Sequence, residues 1–446
     1  MKRILIIQYH SISHLNGAFK VADLLKKNGY DIYYFVNSKM VDYVQKHNFK
    51  YYVAKSHPIV EEYDEISMKM NKIDYTYLDR LKDGVMRFLF DVRKEDLTNV
   101  INKISPDIIL EDTFDGTDFA LIYPLLKKKG IRFFYIETML SAINSKGIPY
   151  ISGRAFPEEK TKIFLEHLQR KLKKQFKRLK RRVLYFGYDN YSVLKKEIAA
   201  QGLPEKYRIE KENYIDTAFT NIATLIMAPI ELEFFTKPQN PYRHNLGFFI
   251  NENSNNAIEV EDRLKKILEG NKKIIYVSFG TVFAERESKK IASLMTKLNQ
   301  VLPKFDDVVT IFTFGKADTN RQIQNLNNVH TFKFVPQIFL LNHCSIFVTH
   351  GGLNSVKESI EAAVPMLVYP FDIDQIGNAR KVVHKKMGLL GDIKKETSAG
   401  LESKIRQLLY DASFKKNIQS FRDEISKKYD LEKLLIPIIE KEGVIE

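Results

Sequence analysis

The stretch from residue 334 to residue 378 constrains the fold more than any other part of the chain, because it alternates apolar runs with polar turns. One apolar run ends at Val348, and Gly351 and Gly352 allow a tight turn from a strand into a helix. That helix is predicted to begin at Leu353 and to end before the next proline. A second apolar run then leads to polar residues beyond the same edge. The order of strand, helix and strand predicts a parallel α/β sheet with a ligand site at its carboxyl edge.

The start of the predicted helix suits a phosphate group. Its first N–H groups point out of the helix at the positive end of the dipole. His350, Asn354 and Ser355 lie beside that end. Asp374 and Gln375 follow the second strand and can bond hydroxyl groups. The stretch therefore predicts a site for a phosphate joined to a hydroxylated group.

The residues of this stretch resemble, in their order, the donor-binding signature of the UDP-glycosyltransferases, inverting enzymes of the GT-B fold. The matching positions run from Pro336 and Gln337, through the turn at His350, to Asp374 and Gln375. The step of 16 residues from Phe334 to His350 is similar to the bacterial branch that acts on small molecules such as macrolides. The family usually has tryptophan where Phe334 stands, a ring that stacks on uracil. Phenylalanine can also stack, with a smaller area.

The resemblance implies a donor site in the C-terminal half. Phe334 and the Val335 backbone would face the base, Glu358 would bind the ribose, and a Gly-Thr turn would approach the phosphates. The donor-binding residues that it implies are Ser278, Gly280, Thr281, Phe334, Val335, Gln337, His350, Gly352, Asn354, Ser355, Glu358, Asp374 and Gln375.

A second set of candidate residues follows the first strand of the chain. Residues 3–7 are predicted as a strand, residues 9–17 as a loop and residues 18–27 as a helix. His14 then lies at the carboxyl edge of the sheet, where ligands collect. The loop resembles the start of the same family, which implies that His14 is the general base. His10 lies past the same strand and is the alternative.

Asp112 ends a later strand that follows Pro106 and Asp107. This segment resembles the family strand whose final aspartate partners the catalytic histidine, so the resemblance assigns that role to Asp112. A carboxylate bonded to one imidazole nitrogen fixes the tautomer and stabilises the imidazolium. Glu111 should point to the opposite face of the strand. The alternative is that Asp112 only caps a helix at 117–129.

The length of 446 residues indicates two domains. Strands and helices alternate in both halves, and the resemblance implies the GT-B class of α/β fold, two facing Rossmann-like doubly wound domains with a cleft between them. We predict an N-terminal acceptor-binding domain at 1–236, a linker at 237–247 and a nucleotide-sugar donor-binding domain at 248–425. A helical tail at 426–446 should return to the N-terminal domain.

The net charge of +15 is concentrated in one predicted helix at 157–182, whose apolar residues recur every three or four positions. Three interpretations stay open for it. The stripe packs on the N-terminal domain, or it lies on an anionic membrane, or the charge binds nucleic acid. The third is disfavoured because no aromatic platform accompanies the charge.

The remaining composition favours a cytoplasmic protein. The single cysteine, Cys344, excludes an intrachain disulfide and suits a reducing compartment. The N-terminal apolar run is too short for the core of a signal peptide. No run is long enough to cross a membrane, so contact with the inner membrane surface would be peripheral.

The predicted activity is transfer of a sugar from a UDP-sugar, with UDP-glucose the expected donor, to a hydroxyl of a small lipophilic or aromatic acceptor. No cofactor, metal or nucleic acid is expected to take part. A pair at Asp372 and Asp374 could instead hold a metal. Three further classes of protein also fit the sequence. They are a lipid or carotenoid glycosyltransferase at the membrane surface, a nucleotide-sugar epimerase or hydrolase, and a non-catalytic membrane-associated binding protein.

Overall fold

The structure, a computed structural model, describes most of the chain. The described residues are 1–59, 76–140, 147–210, 217–235, 237, 240–248, 260–280, 288–313, 328–371 and 374–446. The predicted donor residue Thr281 and the metal candidate Asp372 lie outside them.

Strands of the N-terminal half form one parallel sheet in the order β3-β2-β1-β4-β5-β6-β7. Their bounds are β1 Arg3–Ile7, β2 Asp31–Val36, β3 Lys50–Val53, β4 Ile108–Asp112, β5 Arg132–Glu137, β6 Thr224–Ile226 and β7 Arg243–Asn245.

Strands of the C-terminal half form a second parallel sheet in the order β10-β9-β8-β11-β12-β13. Their bounds are β8 Lys273–Ser278, β9 Val308–Thr313, β10 Val329–Phe332, β11 Ile346–Thr349, β12 Met366–Val368 and β13 Gly388–Leu390.

Helices connect the strands within both halves. Their bounds are α1 Ile12–Lys27, α2 Val41–Lys46, α3 Tyr77–Met86, α4 Phe88–Ile104, α5 Asp118–Lys129, α6 Lys160–Leu184, α7 Asn190–Ala200, α8 Asp262–Leu268, α9 Ser288–Val301, α10 Gln337–Leu341, α11 Leu353–Glu361, α12 Asp374–His384, α13 Ser398–Tyr410, α14 Ala412–Lys428 and α15 Leu431–Lys441. Short 3-10 helices lie at Ser38–Met40, Thr113–Asp115, Ile230–Leu232 and Leu302–Lys304.

Both sheets are buried on their two faces, as parallel sheets usually are. For this reason their strands are almost continuous apolar runs, such as RILII in β1 and KIIYVS in β8. Cys344 is buried in the core of the C-terminal half. The predicted fold class, two doubly wound α/β domains, is confirmed.

The prediction of a loop at 9–17 is wrong, because α1 begins at Ile12 and His14 lies in its first turn. The polar residues there suggested a loop. Leu15 and Ala18 are nevertheless fully buried, and they continue the buried face of the helix toward its start. Ser11 has an extended backbone and precedes the helix as its N-cap residue. His14 therefore has a more rigid support than a loop would give it.

The last two helices contact different halves of the molecule. Ile418 and Ile425 of α14 are buried in the core of the C-terminal half. Leu435 and Ile439 of α15 are buried against the N-terminal sheet. The last strand of that sheet, β7, lies inside the range predicted as linker.

The apolar stripe of α6 faces outward, so the interpretation in which it packs on the N-terminal domain is wrong. Its residues are between 41% and 71% exposed. They are Phe164, Leu168, Leu172, Phe176, Leu179 and Val183. Ile163 on the opposite side is the buried residue of this helix. Periodicity had shown that a stripe exists, but it cannot show whether anything covers it. Among the described residues, no helix combines the length and the apolar character needed to cross a bilayer.

Candidate active site

His14 and Asp112 lie side by side where two neighbouring strands of the N-terminal sheet end. β1 pairs with β4; α1 carries His14 just beyond β1, and Asp112 is the last residue of β4. Nδ1 of His14 lies 2.7 Å from Oδ2 of Asp112. A carboxylate can only accept a hydrogen bond, so the proton of the neutral imidazole lies on Nδ1 and Nε2 keeps its lone pair. This is the tautomer that a general base needs.

Asp112 is fully buried and is held by further hydrogen bonds. Its Oδ2 also accepts a hydrogen bond from the side-chain amide of Gln8. Its Oδ1 accepts one from the backbone N–H of Phe114 at 3.0 Å. The ring of Phe114 lies edge-on to the imidazole of His14, with the centroids 4.7 Å apart. Carboxylate and imidazole are thus fixed relative to each other.

The alternative role for Asp112, capping the helix at 117–129, is not observed. That helix, α5, has Thr117 as its N-cap residue, with no side-chain cap hydrogen bond. Asp112 bonds the first turn of the 3-10 helix instead. Its polar partners outside that turn include His14 and Gln8.

Glu111 lies on the other face of β4, as alternation along a strand requires. Burial raises its pKa well above the ordinary value, and the nearby carboxylates of Asp118 and Asp115 raise it further. Both carboxylate oxygens of Glu111 lack a hydrogen-bond partner in the structure. Glu111 is therefore separate from the His14 pair.

His10 is a weaker candidate for the base than His14. Burial lowers its pKa to about 3, and the positive charges of Arg93 and His57 contribute. No hydrogen bond to a carboxylate orients its ring among the described contacts. A group with so low a pKa is a poor proton acceptor at neutral pH.

In the C-terminal half, the ring of His350 lies between two glycines. A Cβ atom added at Gly280 would lie 3.0 Å from Cε1 of His350, and one added at Gly352 would lie 2.7 Å from its Nε2. Gly280 also has a φ of +69°, which favours glycine. The two glycines are needed because the imidazole comes so close to both turns.

His350 is neutral at physiological pH. It is 8% exposed, and burial lowers its pKa to about 4. The ring therefore offers one N–H donor without a charge. It stands next to Gly352, the extended N-cap residue of α11, whose first N–H groups have no partner within the helix. The N–H group of His350 and the first N–H groups of α11 together form an environment that favours an anion.

A chain of polar contacts connects β8 to α11. The Tyr276 hydroxyl donates to the Gln337 side-chain oxygen at 3.1 Å. The Gln337 amide nitrogen donates to a carboxylate oxygen of Glu358 and lies 3.4 Å from Oγ of Ser355. Burial raises the pKa of Glu358 to about 7, although the Gln337 hydrogen bond and the nearby Lys357 oppose this shift. Glu358 is therefore close to half ionised at neutral pH.

Asp374 and Gln375 start α12 at the mouth of the site. Asn378, one turn along the helix, donates to Asp374 Oδ2 at 3.1 Å and to the Gly351 carbonyl at 3.0 Å. Burial raises the pKa of Asp374. Gln375 is 2% exposed, and its side-chain oxygen accepts a hydrogen bond from the Phe371 backbone at 3.0 Å. Asp374 is thus more exposed to solvent than Gln375.

Contacts between the halves bring these two sets of residues together. The side-chain amide of Asn354 donates to the carbonyl of Ser13 at 3.0 Å. A protonated His14 would lower the pKa of Asp374, so the two side chains lie within electrostatic range of each other. Lys357 is buried and donates to the Met227 carbonyl at 3.2 Å. The predicted base therefore faces the predicted donor site.

The other predicted residues lie around this mouth. Phe334 is exposed and leaves a ring face open, whereas Val335 is buried. Ser278 ends β8, and Ser355 lies in the first turn of α11. The prediction for Thr281 is not addressed by the described residues.

Sequence reasoning missed several residues that support the site. Thr138 Oγ1 lies 3.0 Å from Nδ1 of His14. Gln8 bonds Asp112, and Asn378 joins Asp374 to Gly351. The sequence did contain a signal for Asn378, since it lies four residues after Asp374 and so on the same face of a helix. Thr138 had no such signal.

The sequence is similar to that of known glycosyltransferases over about half of its length. Residues 215–429 match the family described as UDP-glucoronosyl and UDP-glucosyl transferase. A putative UDP-glucuronosyltransferase of Caenorhabditis briggsae is 28% identical over 216 residues, which are 47% of this chain and 39% of the relative. An uncharacterized UDP-glucosyltransferase of Bacillus subtilis is 30% identical over 166 residues, or 36% of this chain and 41% of the relative. The match thus covers less than half the length of these relatives.

Solved structures are similar over nearly the whole chain. The glycotransferase of kitacinnamycin has a TM-score of 0.72 at 17% identity, covering 99% of this chain and 98% of the other. The glycosyltransferase VinC, solved in complex with dTDP, has a TM-score of 0.63 at 16% identity, covering 98% of each chain. These similarities establish the fold of GT-B glycosyltransferases. The similarity in sequence lies in the C-terminal half, where residues 215–429 match the UDP-glycosyltransferase family.

Proposed function

We propose that this chain is an inverting glycosyltransferase that moves a sugar from a UDP-sugar to a hydroxyl of a small lipophilic or aromatic acceptor. UDP-glucose is the expected donor. The observation that carries the proposal is the His14–Asp112 contact of 2.7 Å, placed across from Asp374 and the start of α11. A proton acceptor and a site for an anionic leaving group face each other there. This is the arrangement that a single displacement at a sugar carbon requires.

In the proposed step, Nε2 of His14 takes the proton of the acceptor hydroxyl as its oxygen attacks the anomeric carbon. The new carbon–oxygen bond forms on the face opposite the diphosphate, so the configuration inverts. The bond from the anomeric carbon to the phosphate oxygen breaks, and its electron pair leaves with UDP. Asp112 stabilises the imidazolium that forms on His14. The proton is finally lost to solvent from His14.

The start of α11 is proposed to stabilise the diphosphate as negative charge grows on it. The first N–H groups of the helix, Ser355 and the neutral His350 can all donate hydrogen bonds there. These donors are fixed before the substrate binds, so little reorganisation is needed. We therefore propose that the reaction needs no divalent metal.

The remaining donor contacts are assigned by position. We propose that the exposed ring of Phe334 stacks on the base and that the ionised form of Glu358 accepts hydrogen bonds from ribose hydroxyls. Asp374 is placed to bind hydroxyls of the transferred sugar. Phe334 offers less area than tryptophan, so the base is the least constrained part of the donor. Calorimetry with UDP and dTDP measures that preference directly.

A screen of UDP-sugars against phenols, sterols and lipids, read by mass spectrometry, tests the proposed activity. We expect a product heavier by one sugar residue, formed in the presence of EDTA, with the anomeric configuration inverted by NMR. Strict dependence on Mn²⁺ or Mg²⁺ would support the metal pair at Asp372 and Asp374 instead. Turnover of the UDP-sugar without an acceptor would indicate an epimerase or hydrolase. Binding without any turnover would indicate a non-catalytic protein.

A further inference from the structure

The residues on the outward face of α6 take no part in packing against the sheets or in the proposed chemistry. Within its 25 residues, Lys160–Leu184 contains eleven Lys and Arg and one Glu, a net +10 of the +15 carried by the whole chain. A helix of this length is about 37 Å long. We infer that α6 binds the surface of an anionic phospholipid bilayer, with its apolar stripe inserted and its basic residues at the headgroups.

The apolar stripe of α6 lies along one side of the helix. Successive residues are about 100° apart, so Leu168, Phe176, Leu179 and Val183 all lie within about 40° of Leu172. These side chains form one exposed line along the helix. Such an uncovered apolar line is unusual on a protein that is free in water.

Basic residues border the line on both sides. Lys171 and Lys173 lie about 100° to either side of Leu172, and both are exposed. Lys180 and Arg182 repeat the pattern farther along the helix. Long basic side chains at such positions can reach phosphate headgroups while the apolar line enters the acyl boundary.

The opposite face of α6 anchors it to the protein. Its buried residue, Ile163, lies about 180° from Leu172. Glu166 accepts a hydrogen bond from the Arg154 backbone at 2.7 Å, and Arg170 donates to the Ser152 carbonyl at 2.9 Å. The outward direction of the stripe is therefore fixed by contacts on the inner face.

The apolar surface continues beyond the end of α6. The Tyr77 hydroxyl donates to the Leu184 carbonyl at 2.7 Å, which places α3 against this end. Leu78 and Met86 of α3 are 70% and 65% exposed, and Phe186 beyond α6 is 74% exposed. Two adjacent segments thus carry exposed apolar residues, which enlarges the surface available for insertion.

Charge decides between a bilayer and a second copy of the chain. Two copies of α6 meeting along their stripes would bring two segments of net charge +10 together, and their repulsion opposes that dimer. An anionic bilayer would neutralise the basic residues beside the apolar line and would also bury the line itself. Nucleic acid would satisfy the charge alone and would leave the stripe in water.

The anchored face also links the membrane surface to the donor site. Arg380 of α12 donates to the Tyr150 carbonyl at 2.7 Å and to the Ala155 carbonyl, both in the segment that leads into α6. The same helix begins at Asp374. Delivery of a lipophilic acceptor from the bilayer would rest on the proposed function, but vesicle binding itself does not.

Co-sedimentation of the full chain with vesicles tests the inference. We expect binding to phosphatidylcholine vesicles that contain phosphatidylglycerol, and little binding to phosphatidylcholine alone. The double variant Leu172→Gln/Phe176→Gln should bind at least about tenfold more weakly, and so should Lys171→Glu/Lys173→Glu. All four side chains are exposed, so the variants should fold.

A matched control makes the same change in net charge on a different surface of the protein. Lys416→Glu/Lys427→Glu alters exposed residues of α14 and should leave vesicle binding close to that of the unaltered protein. Absence of binding to anionic vesicles, or equal binding by all variants, would overturn the inference. A dimer in sedimentation equilibrium that Leu172→Gln/Phe176→Gln abolishes would assign the stripe to a second copy. UDP binding measured without vesicles reports on the proposed function separately.

Discussion

The side-chain amide of Asn354 lies 3.0 Å from the carbonyl oxygen of Ser13, the residue before the proposed base. This hydrogen bond joins α11, the helix proposed to face the diphosphate, to α1, the helix that carries His14. It connects the start of α11 in the C-terminal half directly to the first turn of α1 in the N-terminal half. The proposed chemistry depends on the distance between the leaving group and the base.

Replacement of Asn354 by Ala should therefore lower turnover more than it lowers stability. The side chain is partly exposed, so the lost hydrogen bond should cost only about 1 kcal/mol in the free energy of unfolding. Misplacement of the base should reduce kcat about tenfold or more. Steady-state kinetics and urea unfolding measure the two effects. A large loss of stability with normal kcat would show that the contact is only structural.

The variant Asp112→Asn should lower kcat about 10²–10⁴-fold, because the amide can hold the imidazole in the wrong tautomer. UDP affinity should change little, since Asp112 lies in the other half of the molecule. Thr138→Val is the matched control, because it removes the other polar contact of Nδ1 and should cost much less. Equal losses in the two variants would contradict a special role for the carboxylate.

The affinity for UDP should fall as the pH drops through about 7. Burial raises the pKa of Glu358 to about 7, and only the ionised carboxylate can accept hydrogen bonds from both ribose hydroxyls. Isothermal titration calorimetry between pH 5.5 and about pH 8.5 measures this dependence. In Glu358→Gln, the affinity should be lower and the dependence near pH 7 should disappear. A dependence that persists in that variant would assign it to another group.

The same shift predicts an opposite effect on stability. The pKa of Glu358 is higher in the folded protein than in an unfolded chain, so folding takes up a proton between about pH 4.5 and pH 7. The stability that this group contributes is thus complete at low pH and is lost as the pH rises to about 7. Glu358→Gln should therefore gain more in melting temperature at pH 8 than at pH 5. Glu111→Gln is the control: it should also stabilise at high pH, but it should leave UDP affinity unchanged.

Removal of the Arg380 guanidinium should weaken the link between the segment at 147–155 and α12. Arg380→Met would leave the carbonyls of Tyr150 and Ala155 without this donor, at a cost of about 1–3 kcal/mol for the buried carbonyl of Ala155. We expect a lower melting temperature and a raised KM for the UDP-sugar, because Asp374 starts the same helix. Normal KM in a destabilised variant would confine Arg380 to a structural role.

Prediction from sequence succeeded where local pattern determines structure. β1 was predicted at its observed bounds because it is a short apolar run that ends at polar residues. The strand–turn–helix at His350 was predicted because glycines and a following proline mark its limits. The pairing of His14 with Asp112 joins residues 98 positions apart. Only the resemblance to a known family indicated it.

Prediction failed where burial or distant contacts decide. The helix that carries His14 begins at Ile12, and its buried face starts at Leu15, within the range predicted as a loop. Periodicity predicted the apolar stripe of α6, but it could not decide whether the stripe is covered or faces outward. Thr138 reaches His14 only because β5 lies next to β4 in the sheet, a relationship without a local sequence signal.

The most direct test of the account is the variant His14→Ala, assayed for sugar transfer and for UDP binding in the same preparation. We predict that transfer falls about 10²–10⁴-fold while the dissociation constant for UDP stays within about threefold of the unaltered value. His10→Ala serves as the control and should retain most of the transfer activity. Near-normal transfer by His14→Ala would contradict the account, because the base would then lie elsewhere.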